Sequence, residues 1–263
     1  MSNEEPRTFI VGNPPNQRGI AFRRRWPARS GAPALVWLCG YRSDMGSTKA
    51  SALDAEADRL GLGLLRFDYS GHGSSEGRLE DGTISRWLEE ALAIIRAESE
   101  GPQIFIGSSM GGWLALLAAR ALHQAGEGRC VAGLILIAPA VDFTEALLWE
   151  RLPEEARRAI MEEGAWRRPS AYSDEPDCFT RALIEDGRKH LLFGGMIRTG
   201  CPTVVLQGMR DEDVPYAHAL ALMERLGGDP ATLTLIKDGD HRLSRPQDLQ
   251  LLFEALGRMA EAR

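Results

Sequence analysis

Residues 107–111 read Gly107-Ser108-Ser109-Met110-Gly111. They follow a short apolar run, Gln103–Ile106, and open an amphipathic stretch, Gly112–Ala125. A G-x-S-x-G pattern between a strand and a helix is a nucleophile elbow, which presents its central serine at the tip of a sharp turn. Glycine is required on both sides because a side chain two residues before or after the serine would collide across the turn. The spacing therefore selects Ser109 over its neighbour Ser108. The helix start behind Ser109 also favours negative charge developing there.

A serine hydroxyl needs a base. Of the five histidines, His241 stands in Asp238-Gly239-Asp240-His241, after the last apolar run and before the last helical pattern. That is where the chain order serine, acid, histidine places the base. His72 lies in Gly71-His72-Gly73 and reads as part of a turn, and His123 falls late in the helix after Ser109. His190 falls in an interval without strands, and His218 on a helix just past a strand end. The acid belongs in Gly208-Met209-Arg210-Asp211-Glu212-Asp213-Val214-Pro215, where Asp211 heads a D-x-x-V-P arrangement. Two other carboxylates stay open: Asp213, which could instead cap a helix beside Pro215, and Asp142, beyond the run Leu134–Ile137.

Acyl transfer also needs donors for an oxyanion. The backbone N–H of Met110 is one candidate. The other is that of Tyr41, in Cys39-Gly40-Tyr41 after the apolar run Ala34–Leu38. Packing of the Tyr41 ring is compatible with that role. The segment Asp68-Tyr69-Ser70-Gly71-His72-Gly73-Ser74-Ser75 has the glycines of a phosphate loop but neither its lysine nor its G-x-x-x-x-G-K spacing. It reads as a turn that shapes one wall of the site.

The elements that must position these groups alternate. Strand-length apolar runs at Ala34–Leu38, Gly63–Phe67, Gln103–Ile106, Leu134–Ile137, Thr203–Leu206 and Thr232–Ile236 suit strands covered on both faces. Amphipathic stretches at Lys49–Leu60, Thr83–Ser99, Met110–Ala125, Tyr216–Leu226 and Pro246–Ala260 lie between them. This alternation predicts an α/β fold with one doubly wound, mostly parallel sheet, and Phe9–Val11 and Gly19–Arg25 could add antiparallel edge strands. From Asp142 to Gly200 no strand is expected. The interval carries Trp149, Trp166, Tyr172, Phe179 and Phe193 and two expected helices, Glu154–Glu163 and Phe179–Leu192. A structureless connection of that length would be unusual, so residues 142–200 read as a helical cap inserted in a single domain spanning 1–263.

Composition removes whole classes. With 263 residues, 44% of them hydrophobic, the chain is neither a disulfide-stapled miniature nor a disordered tail. Thirty-one basic against 37 acidic residues, a net charge of −6, argues against a nucleic-acid partner. No apolar run reaches the length of a transmembrane segment. The four scattered cysteines, Cys39, Cys130, Cys178 and Cys201, form no CxxC pair and suit reduced thiols. The acidic start, Met-Ser-Asn-Glu-Glu-Pro, resembles neither a secretory signal nor a transit peptide. On this basis the expected compartment is the cytosol.

These residues resemble the α/β-hydrolase superfamily. Gly46-Ser47-Thr48-Lys49-Ala50, the stretch Arg66–Ser75, Gly101-Pro102-Gln103, the stretch Gly107–Trp113 and Gly208-Met209-Arg210-Asp211 are similar to a narrower group. This group comprises the α/β-hydrolase-domain proteins of animal mitochondria described as palmitoyl-protein thioesterase and mycophenolic acid acyl-glucuronide esterase. The similarity runs from about Ala34 onward and includes Leu152-Pro153 and Pro169-Ser170-Ala171-Tyr172-Ser173. It implies Ser109 as nucleophile, Asp211 as acid and His241 as base, with no cofactor or metal. Most relatives carry histidine where Cys39 stands, and Cys39 is expected to line the oxyanion loop. The implied substrate is a small acyl ester or thioester, or an S-acylated protein. A general carboxylesterase or acyl-glucuronide esterase is the alternative within enzymes. The alternative from another class is a catalytically inactive hydrolase-fold binding protein. Such proteins usually lose the serine or histidine, and both are present here.

Overall fold

The computed structural model describes residues 5–28, 31–169 and 176–261. Its strands are β1 (Arg7–Val11), β2 (Arg18–Arg25), β3 (Ala34–Leu38), β4 (Gly63–Phe67), β5 (Gln103–Ser108), β6 (Val131–Ile137), β7 (Ala165–Arg168), β8 (Asp177–Thr180), β9 (Thr203–Gly208) and β10 (Ala231–Ile236). The α-helices are α1 (Thr48–Leu60), α2 (Ile84–Glu98), α3 (Met110–Gln124), α4 (Glu154–Arg158), α5 (Arg181–Gly187), α6 (Tyr216–Arg225) and α7 (Pro246–Glu261). Eight strands form one sheet in the order β1-β2-β4-β3-β5-β6-β9-β10. The β1–β2 and β2–β4 pairs are antiparallel and the rest parallel. This is the doubly wound α/β sheet expected, with its two edge strands.

The apolar runs form strands because helices cover both faces: every residue of β3, β4, β5 and β6 is buried. α2 starts where the Thr83 hydroxyl accepts from Arg86 N–H at 3.2 Å, and it buries Trp87, Ala91, Ile94 and Ile95. α3 is apolar on nearly every side and is buried on nearly every side, including Trp113 and Leu114–Ala119. From β3 the chain goes to β4 on one side and then crosses back to β5 on the other. The loops after β3 and β5 therefore part at a topological switch point, where α/β sheets bind ligands. The register sets Leu38 opposite Gly107, so the loop at Cys39-Gly40-Tyr41 runs alongside the elbow.

The interval between β6 and β9 departs from expectation in one respect. α4 continues as a wide helical turn at Ala159–Glu163, and α5 and a tight turn at Arg188–His190 occupy the second expected helix. Yet β7 and β8 pair antiparallel, with Trp166 opposite Phe179, so strands are present where none was expected. Four-residue strands are too short for periodicity to reveal, and their pairing is non-local. Tyr172 and the motif residues 170–173 lie outside the described residues.

Candidate active site

Ser109 sits between β5 and α3 with φ 55° and ψ −120°, a conformation that costs on the order of 1–3 kcal/mol and has to be over-determined by its surroundings. Its N–H donates to the Ile137 carbonyl at 2.9 Å, and its carbonyl accepts from Gly112 and Ala140. The flanking glycines are steric necessities. A Cβ on Gly111 would lie 2.0 Å from the Leu38 carbonyl oxygen, and one on Gly107 would lie 2.3 Å from that of Gly111.

The turns after β9 and β10 converge on this serine. They touch at Gly208, where a Cβ would come within 2.4 Å of the Gly239 carbonyl oxygen. Arg210 N–H donates to that same carbonyl at 2.9 Å. Asp211 is carried on one turn and His241 on the other. His241 Nδ1 lies 2.8 Å from Asp211 Oδ2, and Nε2 lies 3.1 Å from Ser109 Oγ. A carboxylate only accepts, so Nδ1 carries the hydrogen and Nε2 of the neutral ring offers its lone pair to the serine hydroxyl. The Asp211 side chain is fully buried. Its Oδ1 accepts from the N–H groups of Asp213 and Val214, and its Oδ2 also accepts from Gln207 Nε2 at 3.1 Å. Gln207 is fixed in turn by the carbonyls of Gly208 and Val214.

The other candidates take different places. Asp142 has φ 55°, and its buried carboxylate, raised in pKa by that burial, accepts from Leu192 and Phe193 N–H at 2.8 Å each. It ties the 192–193 loop to the end of β6. Asp213 does not cap α6, whose start at Pro215 has no side-chain bond; it lines the same cavity as Ser109. Asp211, Asp213 and His241 each offer a ligand atom within 4.8 Å of the others, but Asp211 and His241 spend theirs on the contacts above. His72 and His218 are held by burial at pKa values of about 4, and His218 Nε2 lies 2.8 Å from the Val141 carbonyl.

Ser109 and His241 line a cavity of about 640 Å³ that also takes in Tyr41 and Met110, the two expected oxyanion donors. Phe143, Leu147, Leu148 and Leu152 give it an apolar wall, and Arg42, Arg151, Arg168 and Asp177 give it charge. The Tyr41 hydroxyl donates to the Cys178 carbonyl at 2.5 Å and the ring stacks on Phe179 at 5.6 Å, so the loop after β3 leans on β8. Two expectations need correction. Cys39 is fully buried, its thiol pushed well up in pKa by burial, and faces the core rather than the cavity. The Asp68–Ser75 turn does not line the cavity: Asp68 accepts from Met45 and Ser74 N–H, and the His72 ring supports Tyr41 from behind at 6.2 Å.

Residues 16–250 match the Alpha/beta hydrolase family. The chain belongs to the α/β-hydrolase family. The mitochondrial palmitoyl-protein thioesterase ABHD10 of Bos taurus is 36% identical over 239 residues, 90% of this chain and 75% of that protein. A putative hydrolase from Agrobacterium vitis S4 superposes with a TM-score of 0.94 at 50% identity, covering 97% of this chain and 98% of its own. Alpha/beta hydrolase domain-containing protein 10 from mouse superposes at 0.85 with 32% identity, covering 97% and 99%. The bovine relative and those of human, orangutan, mouse and rat are all mitochondrial by name, which overturns the cytosolic expectation. The thiol argument behind that expectation separates reducing from oxidising compartments but not one reducing compartment from another. Among the described residues, no helix of this α/β-hydrolase is long and apolar enough to cross a membrane.

Sequence reasoning missed several groups. Gln207 is the penultimate residue of β9 and carries no motif. Lys49 lines the cavity and reaches the Arg242 carbonyl and, at 3.5 Å, Ser244 Oγ. Its only signal was the Gly46–Ala50 motif. Away from the cavity, Ser85 Oγ lies 2.8 Å from Asp186 Oδ1 and 2.7 Å from His190 Nε2, a second grouping of the same three residue types.

Proposed function

We propose that this α/β-hydrolase cleaves carboxylic esters and thioesters through an acyl-serine intermediate. Ser109 acts as nucleophile, His241 as base and Asp211 as the acid that holds the imidazole. The observation that carries this reading is the continuous chain of contacts Ser109 Oγ–His241–Asp211, with the serine lining a cavity. His241 Nε2 takes the hydroxyl proton as Ser109 Oγ attacks the carbonyl carbon. The oxyanion rests on the N–H groups of Met110 and Tyr41. As the C–S or C–O bond breaks, His241 returns its proton to the leaving thiol or alcohol. Water then adds to the acyl-serine, giving its proton to His241, and the acid leaves as Ser109 regains its hydrogen. No step calls for a metal or organic cofactor.

We further propose that residues 142–200 act as a cap that holds the acyl chain. The apolar wall at Phe143, Leu147, Leu148 and Leu152 supports this, and the cavity volume falls within the roughly 300–1,000 Å³ of small-molecule sites. The relatives' name favours a thioester on an acylated protein, with a general carboxylesterase or acyl-glucuronide esterase as the alternative. Ser109→Ala should abolish turnover of p-nitrophenyl esters and labelling by a fluorophosphonate probe; a wild-type rate in that variant removes the reading. A chain-length series of acyl thioesters and matched oxygen esters separates the substrate classes, and a preference confined to acetyl and butyryl esters disfavours depalmitoylation.

A further inference from the structure

The Gly46-Ser47-Thr48-Lys49-Ala50 motif has no part in the chemistry above, yet it opens α1 at the edge of the cavity. Lys49 projects from the first turn of α1 across to the segment that follows His241, joining residues 195 positions apart. Its ammonium donates to the Arg242 carbonyl, one residue beyond the imidazole, and lies 3.5 Å from Ser244 Oγ. The turn it grips is conformationally demanding. Leu243 is buried with φ 44°, a region L residues rarely occupy, and within the turn the Ser244 hydroxyl donates to the Arg242 carbonyl at 3.0 Å. Asp240 Oδ1 accepts from Leu243 N–H at 3.0 Å, and Arg245 pairs with Asp238 and Asp248. Those ties hold the turn to itself and to α7, whereas Lys49 ties it to the opposite side of the cavity.

We propose that Lys49 is a positioning residue for acyl transfer, clamping the turn after His241 so that the imidazole stays over Ser109. This rests on His241 being the base. The groups facing the ammonium are Asp240 and Arg242 from the turn itself and Asp248 from α7. Asp44, Glu212 and Asp213 line the same cavity. Burial lowers the Lys49 pKa to about 8, with the two aspartates opposing and Arg242 assisting. The amine that remains above that pH has two hydrogens in place of three and loses the charge-assisted part of its bonds, which makes such bonds roughly twice as strong as neutral ones. The clamp therefore weakens as pH rises through about 8.

The test measures kcat and KM for p-nitrophenyl butyrate from pH 6 to 10 on the full chain, with Lys49→Met, Lys49→Arg and Ser244→Ala beside the wild type. Small displacements and lost supporting contacts cost about 10- to 100-fold. Lys49→Met should accordingly lower kcat about tenfold or more at pH 7, leave KM within about twofold, and lack an alkaline limb that the wild type shows near pH 8. Lys49→Arg should restore kcat and move the limb out of range. A merely structural lysine would shift the unfolding midpoint without moving the limb. Wild-type kcat in Lys49→Met, or a limb that persists in either Lys49 variant, overturns the proposal. Should Lys49→Met not fold, the Lys49→Arg profile and a kcat loss in Ser244→Ala decide. Fluorophosphonate labelling of Ser109 in every variant keeps this outcome separate from the triad reading, which fails if the wild type is unlabelled or Ser109→Ala stays active.

Discussion

The described residues include two Ser/His/Asp groupings, and they run their protons in opposite directions. Around Ser109 the imidazole stands between acid and hydroxyl, with Nδ1 on Asp211 and Nε2 on the serine. Around Ser85 the hydroxyl stands between acid and imidazole, 2.8 Å from Asp186 Oδ1 and 2.7 Å from His190 Nε2. Asp186 can only accept, so the single Ser85 hydrogen goes to the carboxylate and His190 Nε2 must donate. That histidine has no lone pair aimed at the hydroxyl and cannot act as its base. The setting differs as well. Ser109 occupies a strained turn that opens on a cavity, while Ser85 lies in the first turn of α2 and its own N–H also donates to Asp186 at 2.7 Å. The second grouping is an anchor, tying α5, in the segment between β6 and β9, to α2 of the sheet layer. Burial alone would raise the Asp186 pKa, but bonds from Ser85 and Lys189 outweigh it and hold the carboxyl below its ordinary value. Residue types do not make a triad; the order in which they touch does.

The largest effect should come from the acids. Asp211→Asn leaves an amide facing His241 and selects the wrong tautomer, with an expected loss of about 10⁴ in kcat. Asp186→Asn should leave kcat for p-nitrophenyl acetate within about twofold and cost about 2 kcal/mol of unfolding free energy, the worth of hydrogen bonds to a charged group. Paired kinetics and urea titrations on the two variants decide this. Comparable activity losses from both would break the distinction between site and anchor.

Legibility in the sequence followed the range of the interactions. Gly107, Ser109 and Gly111 lie within five residues, and the strand–turn–helix context is local, so the elbow was readable. Asp211 and His241 were readable because each follows an apolar run by a few residues, and the sheet sets those run ends side by side. Elements with long periodic patterns, such as α2, were found to within a residue or two. What escaped depends on pairs distant in sequence. Trp166 opposes Phe179 across four-residue strands, Ser85 meets Asp186 101 positions away, and Lys49 meets Ser244. A serine in the first turn of a helix reads as a solvated position, and a cavity lysine reads as surface charge. Cys39 was misplaced because its loop borders the site while its side chain points inward.

The next effect separates the imidazoles held neutral by burial from the one proposed as the base. Burial holds His72 at about 4, against an ordinary value of 6.5. Below pH 6.5 the unfolded chain takes up a proton that the folded ring refuses, so stability falls with acidity between pH 6.5 and 4 and is flat above. By pH 5 this ring accounts for a loss of about 2 kcal/mol. His218, held at about 4 by burial, contributes in the same direction. Urea unfolding at pH 7 and pH 5 should show a smaller pH 5 loss in His72→Gln than in the wild type. Equal losses would mean that His72 is not the source.

The smallest effect addresses what the Ser85 anchor does for the reaction. If the inserted segment holds the acyl chain, then its wall and its anchor should matter for long chains and not for short ones. Leu147 lines the cavity and is only partly buried, so Leu147→Ala removes acyl contact at little cost to folding. At about 0.8 kcal/mol per buried methylene, losing contact worth about two methylenes from this half-buried side chain corresponds to about tenfold in kcat/KM for a dodecanoyl thioester. The acetyl ester should be unaffected. Ser85→Ala frees α5 at a point remote from the cavity and should show the same selectivity with a smaller amplitude. Both sets of rates need only one substrate series. An equal fall on acetyl and dodecanoyl substrates would mean that the segment supports the triad itself, and the two groupings would then be parts of one machine rather than a site and its anchor.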